Sequence, residues 1–258
     1  MKRIIYLLPI TALLMGVQSC CCDKDDNNDG TPIAAPAIQP NGDYPVDLGL
    51  SVKWATCNVG ATTPEEYGDY FAWGDTTTYY ASGYVREHPQ AHWKEGKESG
   101  YNDDTYKFRH NFSHKLTKYC SKSSYGDEGY IDNDTTLLPV DDVAHYMWGG
   151  NWRMPTRAEF EELLDSCDWA WTDYNYADVH GWKVTSRKDS TRSIFLPTNG
   201  FRSETHLSGI HTYGYYWSSS LVTNNPSDAW SLFFYSSNSC YMKKYDRHNG
   251  FTVRPVCP

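Results

Sequence analysis

The side chains best suited to contacting a ligand are concentrated between Trp217 and Gly250, in the stretch WSSSLVTNNPSDAWSLFFYSSNSCYMKKYDRHNG. Asn, Ser, Tyr, Asp and His dominate this stretch outside the apolar segment AWSLFFY. Tyrosine supplies rigid contact area at small entropic cost, Ser and Asn supply adaptable hydrogen bonds, and binding surfaces combine the two. Polar hairpin loops have a similar composition, so the stretch indicates either a binding surface or ordinary connections between strands.

The residue types needed for hydrolytic catalysis do not form a recognisable set. The chain has no G-x-S-x-G motif, and neither Ser218-Ser219-Ser220 nor any cysteine has an identifiable His and Asp partner. Asp141-Asp142 and Glu161-Glu162 are adjacent in sequence, but glycoside hydrolysis depends on spatial carboxylate pairs that one sequence does not reveal. The sequence therefore predicts a protein that is not an enzyme, with a hydrolase as the least favoured alternative.

Two histidine pairs have the i, i+4 spacing that would place both rings on one face of a helix and allow zinc binding. They are His88 with His92 and His110 with His114. Pro89 interrupts the first pair, and neither pair lies in a segment with helical periodicity. We therefore expect surface histidines and predict no metal site from them.

Calcium is the one cofactor left open. The acidic segments 127–128 and 132–134 offer carboxylate and amide oxygens, which are the ligands that calcium prefers. The EF-hand pattern is missing, however, and a solvated acidic loop is the alternative.

Composition restricts the class of partner. The chain has 258 residues and a formal net charge of −9, so it repels a phosphate backbone and no nucleic-acid partner is predicted. It contains 10 Trp and 21 Tyr, yet its mean hydropathy is −0.66. Such rings form either amphipathic contact surface or the core of a β-rich domain.

The N-terminal segment has the order of an export signal. The basic pair Lys2-Arg3 precedes an apolar run over 4–17 that is too short to span a bilayer comfortably. The segment VQSC then ends at Cys20 and resembles the end of a bacterial lipoprotein signal peptide. That resemblance implies that residues 1–19 are removed and that Cys20 carries the acyl chains. A plain secretory leader or an uncleaved anchor is the alternative.

Residues 20–43 are predicted to be a lipidated cysteine followed by a disordered tether, because they are Asp/Asn-rich and then Pro/Ala-rich without apolar periodicity. The acidic run after Cys20 resembles the signal that carries some Gram-negative lipoproteins to the outer face of the outer membrane. The predicted location is therefore the outer membrane, lipid-anchored and exposed at the cell surface. Ordinary linker solubility is the alternative explanation of the acidic run.

The domain is predicted over 44–258. Thr156 and Glu159 form a capping box, and an apolar stripe at i, i+3, i+4 and i+7 follows from Phe160 to Cys167, so the pattern predicts a helix over 156–167. A short helix is expected around 141–147, and 76–135 is expected to have little regular structure. Strands are predicted in five later segments: 181–187, 193–202, 214–220, 229–235 and 250–257. The fold class is therefore α+β.

Several motifs together resemble the "major paralogous domain" family first described in Fibrobacter succinogenes and common in Gram-negative lipoproteins. The resemblance covers 46–257. Its motifs are VDLGLSVKWATCNVGA, YFAWGD, WGGNWRMPT, SIFLPTNGFR, GYYWSSS and GFTVRPVC, in that order.

The resemblance implies a C-type-lectin-like fold: mostly antiparallel strands, one or two short helices, long irregular loops, and pairing of the first and last strands. It makes Arg153 a salt-bridging position and Trp148, Trp152 and Trp182 core residues. By analogy with the ligand face of some proteins of that fold, it also gives the ligand-binding candidates, which are Trp217, Asn224, Asn225, Asp228, Tyr235, Asn238, Tyr241, Tyr245, Asp246 and His248.

Five cysteines fall in the domain, an odd number, and no C-x-x-C motif occurs among them. Export makes one or two disulfides feasible. Cys57, near the first strand, and Cys257, near the last, are the preferred pair, and the strand pairing implied by the resemblance supports it.

The predicted function is a non-catalytic binding protein, lipid-anchored in the outer membrane, that recognises an extracellular glycan or protein. A structural subunit of a surface assembly, such as a pilus tip or envelope scaffold, is the alternative.

Overall fold

The computed structural model describes residues 39–78, 100–110, 113–173, 179–236 and 239–258. The predicted leader, Cys20, most of the tether, the His88/His92 pair and Asn238 lie outside the described residues. Within the described ranges, no helix has the length and apolar character that a membrane span requires.

The folded part begins before the predicted boundary at Tyr44. The side chain of Gln39 is 2% exposed and its Oε1 accepts a hydrogen bond from the Thr56 backbone N–H at 2.9 Å. Residues 39–43, which the sequence assigns to the tether, therefore pack on the domain.

Two α-helices occur in the described part of the chain, α1 (Val143–Trp148) and α2 (Arg157–Ser166). The strands are β1 (Lys53–Trp54), β2 (Cys167–Asp173), β3 (His180–Ser186), β4 (Ser193–Pro197), β5 (Asn199–Ser203), β6 (His206–Ile210), β7 (Tyr213–Leu221), β8 (Asp228–Tyr235), β9 (Ser239–Asp246) and β10 (Val256–Cys257).

Every strand pairing between these elements is antiparallel. The sheets are β1-β10, β2-β3-β4, β5-β6 and β7-β8-β9. The predicted α+β class with mostly antiparallel strands and short helices is confirmed. The first and last strands pair as expected, with Lys53 opposite Cys257. The described parts of 76–135 contain isolated bridges and a single 3-10 turn, Asp127–Gly129, as predicted.

The helix α2 forms where the capping box predicts. Thr156 Oγ1 accepts from the Glu159 N–H, and the Glu159 carboxylate accepts from the Thr156 N–H at 2.7 Å. The same carboxylate binds the Arg153 guanidinium through two bonds, at 2.5 and 2.8 Å, which confirms Arg153 as a salt-bridging position. Burial alone would raise the pKa of Glu159, but these contacts outweigh it, so the pKa is below its usual value. The start of α2 is therefore fixed to the preceding turn.

The sheet β7-β8-β9 separates two apolar clusters. On one face, Tyr216, Leu232 and Phe234 pack against Phe160 and Leu163 of α2. On the other face, the loops of the N-terminal half cover only part of the sheet.

Three strands were not predicted: β2, β6 and β9. In β2, Cys167, Trp169 and Trp171 alternate with smaller or polar residues, but β2 follows α2 directly, so the change of periodicity is hard to locate in the sequence. In β9, polar residues occupy both faces, so alternation is weak, and full-length pairing with β8 makes it a strand. The predicted strand 193–202 is divided at Thr198 into β4 and β5.

The predicted Cys57–Cys257 disulfide is not formed. Both are free, buried thiols, as are Cys120 and Cys167. The register of the two segments explains the result. Cys257 lies opposite Lys53, four residues before Cys57, and the Val59 N–H, two residues after Cys57, donates to Val253 O. Cys57 is therefore displaced by several residues along the two segments, beyond the Cα separation that a disulfide spans.

Candidate functional site

The structure brings part of the predicted ligand surface together on one face of the sheet β7-β8-β9. Tyr213 pairs with Tyr235, and Tyr215 with Phe233, which in turn pairs with Tyr241. Residues paired in an antiparallel sheet share a face, so these rings point to the same side. We call this surface the tyrosine face and define it as Tyr213, Tyr215, Phe233, Tyr235, Tyr241, Lys243 and Tyr245.

The outer rings of the tyrosine face are open to solvent. Tyr235 and Tyr241 are each 43% exposed. The ring centroid of Tyr235 lies 5.1 Å from that of Tyr213, and that of Tyr241 lies 5.5 Å from that of Phe233. Because neighbouring rings support them, the exposed faces form a pre-arranged platform.

The inner rings join this platform to the core. The ring centroid of Phe251 lies 4.7 Å from that of Tyr215 and 5.2 Å from that of Tyr245. Burial raises the pKa of Tyr245 to about 12, so its hydroxyl stays protonated at neutral pH. Lys243 places its ammonium 4.7 Å from the Phe233 ring and 4.8 Å from the Tyr245 ring. The face thus offers flat rings, phenol hydroxyls and one cation.

Trp217 is not part of a binding surface, contrary to the prediction. It is fully buried, its Nε1–H donates to Phe71 O at 2.9 Å, and its ring stacks on Phe251 at 4.2 Å. A tryptophan at a strand centre with its polar atom satisfied is a core residue.

Four other candidates lie at the opposite end of β8 and β9 or in the turn beside it. Asp228 and Asp246 are a directly opposed pair, and Asn225 Nδ2 donates to Asp228 Oδ2 at 2.8 Å. Burial, and then the neighbouring charge of Asp246, raise the pKa of Asp228. Asn224 is exposed in the adjoining turn, where its backbone oxygen accepts from Lys122 Nζ at 2.6 Å. These residues hold the turn together and are not on the tyrosine face.

His248 is also directed elsewhere. Its Nδ1 lies 2.9 Å from Asp103 Oδ1, and the same carboxylate oxygen lies 3.0 Å from Arg109 Nε. The contact joins the β9–β10 connection to the N-terminal loops, which is a structural arrangement.

Asp132, one of the residues considered for calcium, binds the local backbone. Asp132 accepts from the N–H groups of Tyr119 and Cys120, at 2.5 and 2.8 Å, and from the Tyr130 hydroxyl. Among the residues described here, no group of three or more His, Cys, Asp and Glu side chains is arranged to hold a metal ion.

Of the carboxylate pairs noted in the sequence, Asp141 binds Lys107, Lys118 and the Tyr119 hydroxyl. Asp142 caps α1 by accepting from the N–H groups of Ala144 and His145. These bonds fix loops and a helix end, so both carboxylates have structural roles.

Sequence reasoning missed Tyr213, Tyr215, Phe233 and Lys243. Their signal is the alternation along each strand, since Tyr213, Tyr215 and Trp217 occupy one face of β7, while Phe233 and Tyr235 occupy one face of β8. The packing of loops that are distant in sequence decides which of those faces remains open to solvent. The alternation of residues within one strand does not reveal it.

One family profile matches this chain, over residues 173–256; it is described as "Domain of unknown function (DUF8237)". The matched region runs from the end of β2 into β10 and includes the whole tyrosine face. No curated protein and no solved structure matches.

Proposed function

We propose that this chain is a non-catalytic binding protein, lipid-anchored through Cys20 in the outer membrane, whose tyrosine face takes an extracellular ligand. The observation that carries the proposal is the pair of half-exposed rings, Tyr235 and Tyr241, which lie on adjacent strands against the partly buried ring of Tyr213 and the buried ring of Phe233. Contiguous exposed patches of apolar and aromatic side chains are typical of interaction sites, whereas single exposed apolar residues are ordinary on a protein surface.

The chemistry of the face favours a glycan over a protein. Flat rings pack against the C–H faces of sugars, and the phenol hydroxyls with Lys243 supply hydrogen bonds at the rim. A protein partner would favour a larger apolar centre from which charge is depleted. Protein recognition remains the competing outcome of the test below.

The finer fold assignment, a C-type-lectin-like domain, is part of the same proposal. Pairing of β1 with β10 and the irregular stretches described between β1 and α1, which are 55–78, 100–110 and 113–142, support it. The lipid anchor has its own test: substitution of Cys20 by Ala should release the protein from the membrane fraction and abolish incorporation of a labelled fatty acid. Membrane association and labelling that survive the substitution would contradict the anchor.

The binding proposal is tested by applying the purified protein to glycan and protein arrays beside Tyr235→Ala and Tyr241→Ala variants. We expect a neutral glycan signal that each variant weakens. Tyr44→Ala is the matched control, because Tyr44 is 61% exposed but lies in the segment beside β1, away from the tyrosine face. Binding that neither tyrosine variant alters, or binding confined to proteins, would contradict the proposal.

A further inference from the structure

We propose that the ligand is a linear neutral polysaccharide that passes around the free edge of β9 into a second subsite. This subsite is the tryptophan groove, which we define as Leu164, Trp169, Trp182, Trp230, Cys240 and Met242. The inference rests on the proposed function and extends it, since it gives the length and charge class of the glycan.

The groove lies on the side of β9 opposite the tyrosine face. It has a volume of about 650 Å³ and is bounded by α2, by the hairpin β2-β3 and by Ser239–Met242 of β9. Trp169 and Trp182 stand edge to face with ring centroids 6.0 Å apart. The defining side chains other than Trp230 pack against the buried cluster under α2 while remaining partly exposed. The result is an aromatic cleft on a rigid base.

The polar groups of the groove indicate a neutral ligand that supplies an acceptor oxygen. The Nε1–H of Trp182 is buried and has no hydrogen-bond partner among the described residues, although buried donors are nearly always paired. At the other wall, the Arg157 guanidinium lies 3.8 Å from the Trp230 ring and donates to Glu161 at 2.7 Å. These two charges compensate each other. Asp165, which also lines the groove, and Lys244, whose ammonium lies 5.6 Å from the Trp230 ring, add one charge of each sign, so the groove has no net charge.

Tyr241 connects the two subsites. Its ring packs on Phe233 within the tyrosine face, and the same residue lines the tryptophan groove. The strand β9 pairs only with β8 among the described strands, so its outer edge separates the two surfaces. A chain of sugars bound on the tyrosine face therefore reaches the groove by crossing one strand edge.

A series of oligosaccharides tests the inference. The neutral glycan with the strongest array signal is prepared from the disaccharide to the octasaccharide, and the affinity of each length is measured by calorimetry. We expect the affinity to rise with length and then level off. Trp182→Phe removes the unpartnered N–H and should weaken the longest oligosaccharide about tenfold while leaving the shortest unchanged.

A second groove variant controls for the case in which Trp182→Phe weakens binding only because it disturbs folding. Asp165→Arg places a large side chain at an exposed position of α2 that lines the groove, and it should also weaken only the long oligosaccharides. Tyr235→Ala should weaken every length. Thermal unfolding of each variant is recorded beside the wild type.

The outcomes separate the two claims. Affinity that does not depend on length, or long oligosaccharides that bind both groove variants normally, would overturn the groove and leave the tyrosine face intact. Loss of binding in the groove variants with no effect of Tyr235→Ala would overturn the proposed function and the continuous path. An array that shows peptides and no neutral glycan would overturn both.

Discussion

The ring of Tyr241 lies 5.5 Å from the ring of Phe233, edge to face, across two strands that pair in register. Phe233 is 6% exposed and Tyr241 is 43% exposed, so a buried ring supports an open one. Such a pair holds the outer ring in place before a ligand arrives, which reduces the entropy lost on binding.

The anchoring of β9 is expected to depend on Arg247, which is 1% exposed. Its guanidinium donates to the Tyr106 hydroxyl and to the backbone oxygens of Pro226, Tyr119 and Lys118, and lies 4.9 Å from the Trp73 ring. Lysine has no planar fork with which to reach these acceptors, so Arg247→Lys should lower the free energy of unfolding by roughly 3 kcal/mol.

Urea unfolding measures the effect of Arg247→Lys, with Arg187→Lys as the control. Arg187 is 52% exposed and pairs with Asp168 at the surface, so its replacement should cost less than about 1 kcal/mol. Equal costs for the two variants would contradict a structural role for Arg247.

The capping box of α2 gives a smaller expected effect. Thr156→Ala removes the acceptor for the Glu159 N–H and should lower the free energy of unfolding by about 1 kcal/mol. Thr223→Ala, at an exposed turn, is the control and should be neutral. A Thr156→Ala variant as stable as the wild type would show that the box contributes nothing.

Stability should depend on pH through Asp228. Burial and then the charge of Asp246 raise the pKa of Asp228 in the folded state, so folding favours the protonated form. The contribution is fully present below the unfolded pKa, about 4, and is lost as pH rises through the folded pKa. The free energy of unfolding of Asp228→Asn, compared with that of the wild type, should therefore be higher at about pH 7 than at about pH 3.

The measurement for Asp228 is urea unfolding of both proteins at the two pH values, with Asp165→Asn on the exposed surface of α2 as the control. A difference between wild type and Asp228→Asn that stays constant across this range would contradict the raised pKa.

The thiols of Cys57 and Cys257 should both react when the protein is unfolded without reductant. Alkylation followed by peptide mass spectrometry should find both as modified free cysteines, because the β1-β10 register separates them. A disulfide-linked peptide containing both would contradict this register.

Local signals in the sequence were sufficient for the elements that they specify directly. Thr156 and Glu159 determine the start of α2, and the apolar stripe with Phe160 and Leu163 determines its buried face. The strand β9 could not be predicted, because its polar residues become a strand only through pairing with β8. The sequence likewise placed Trp217 in the site, and its burial against Phe251 depends on a contact distant in sequence.

The sequence likewise predicted only part of the candidate site. Tyr235, Tyr241 and Tyr245 lie together because residues two apart in a strand share a face. Asp228, Asp246 and His248 were grouped with them by position in the chain, but they form separate contacts at the far end of the sheet and in a loop. Composition identified the residue types of the candidate surface, and only the strand register shows which of those residues lie together.

We propose that Tyr235 and Tyr241 form the ligand contact. The most direct measurement is the dissociation constant of the array-selected glycan for the Tyr235→Ala/Tyr241→Ala double variant, beside the wild type and Tyr44→Ala. We expect the double variant to lose at least about tenfold in affinity with unchanged thermal unfolding, while Tyr44→Ala binds as the wild type does. A folded double variant with wild-type affinity would contradict it.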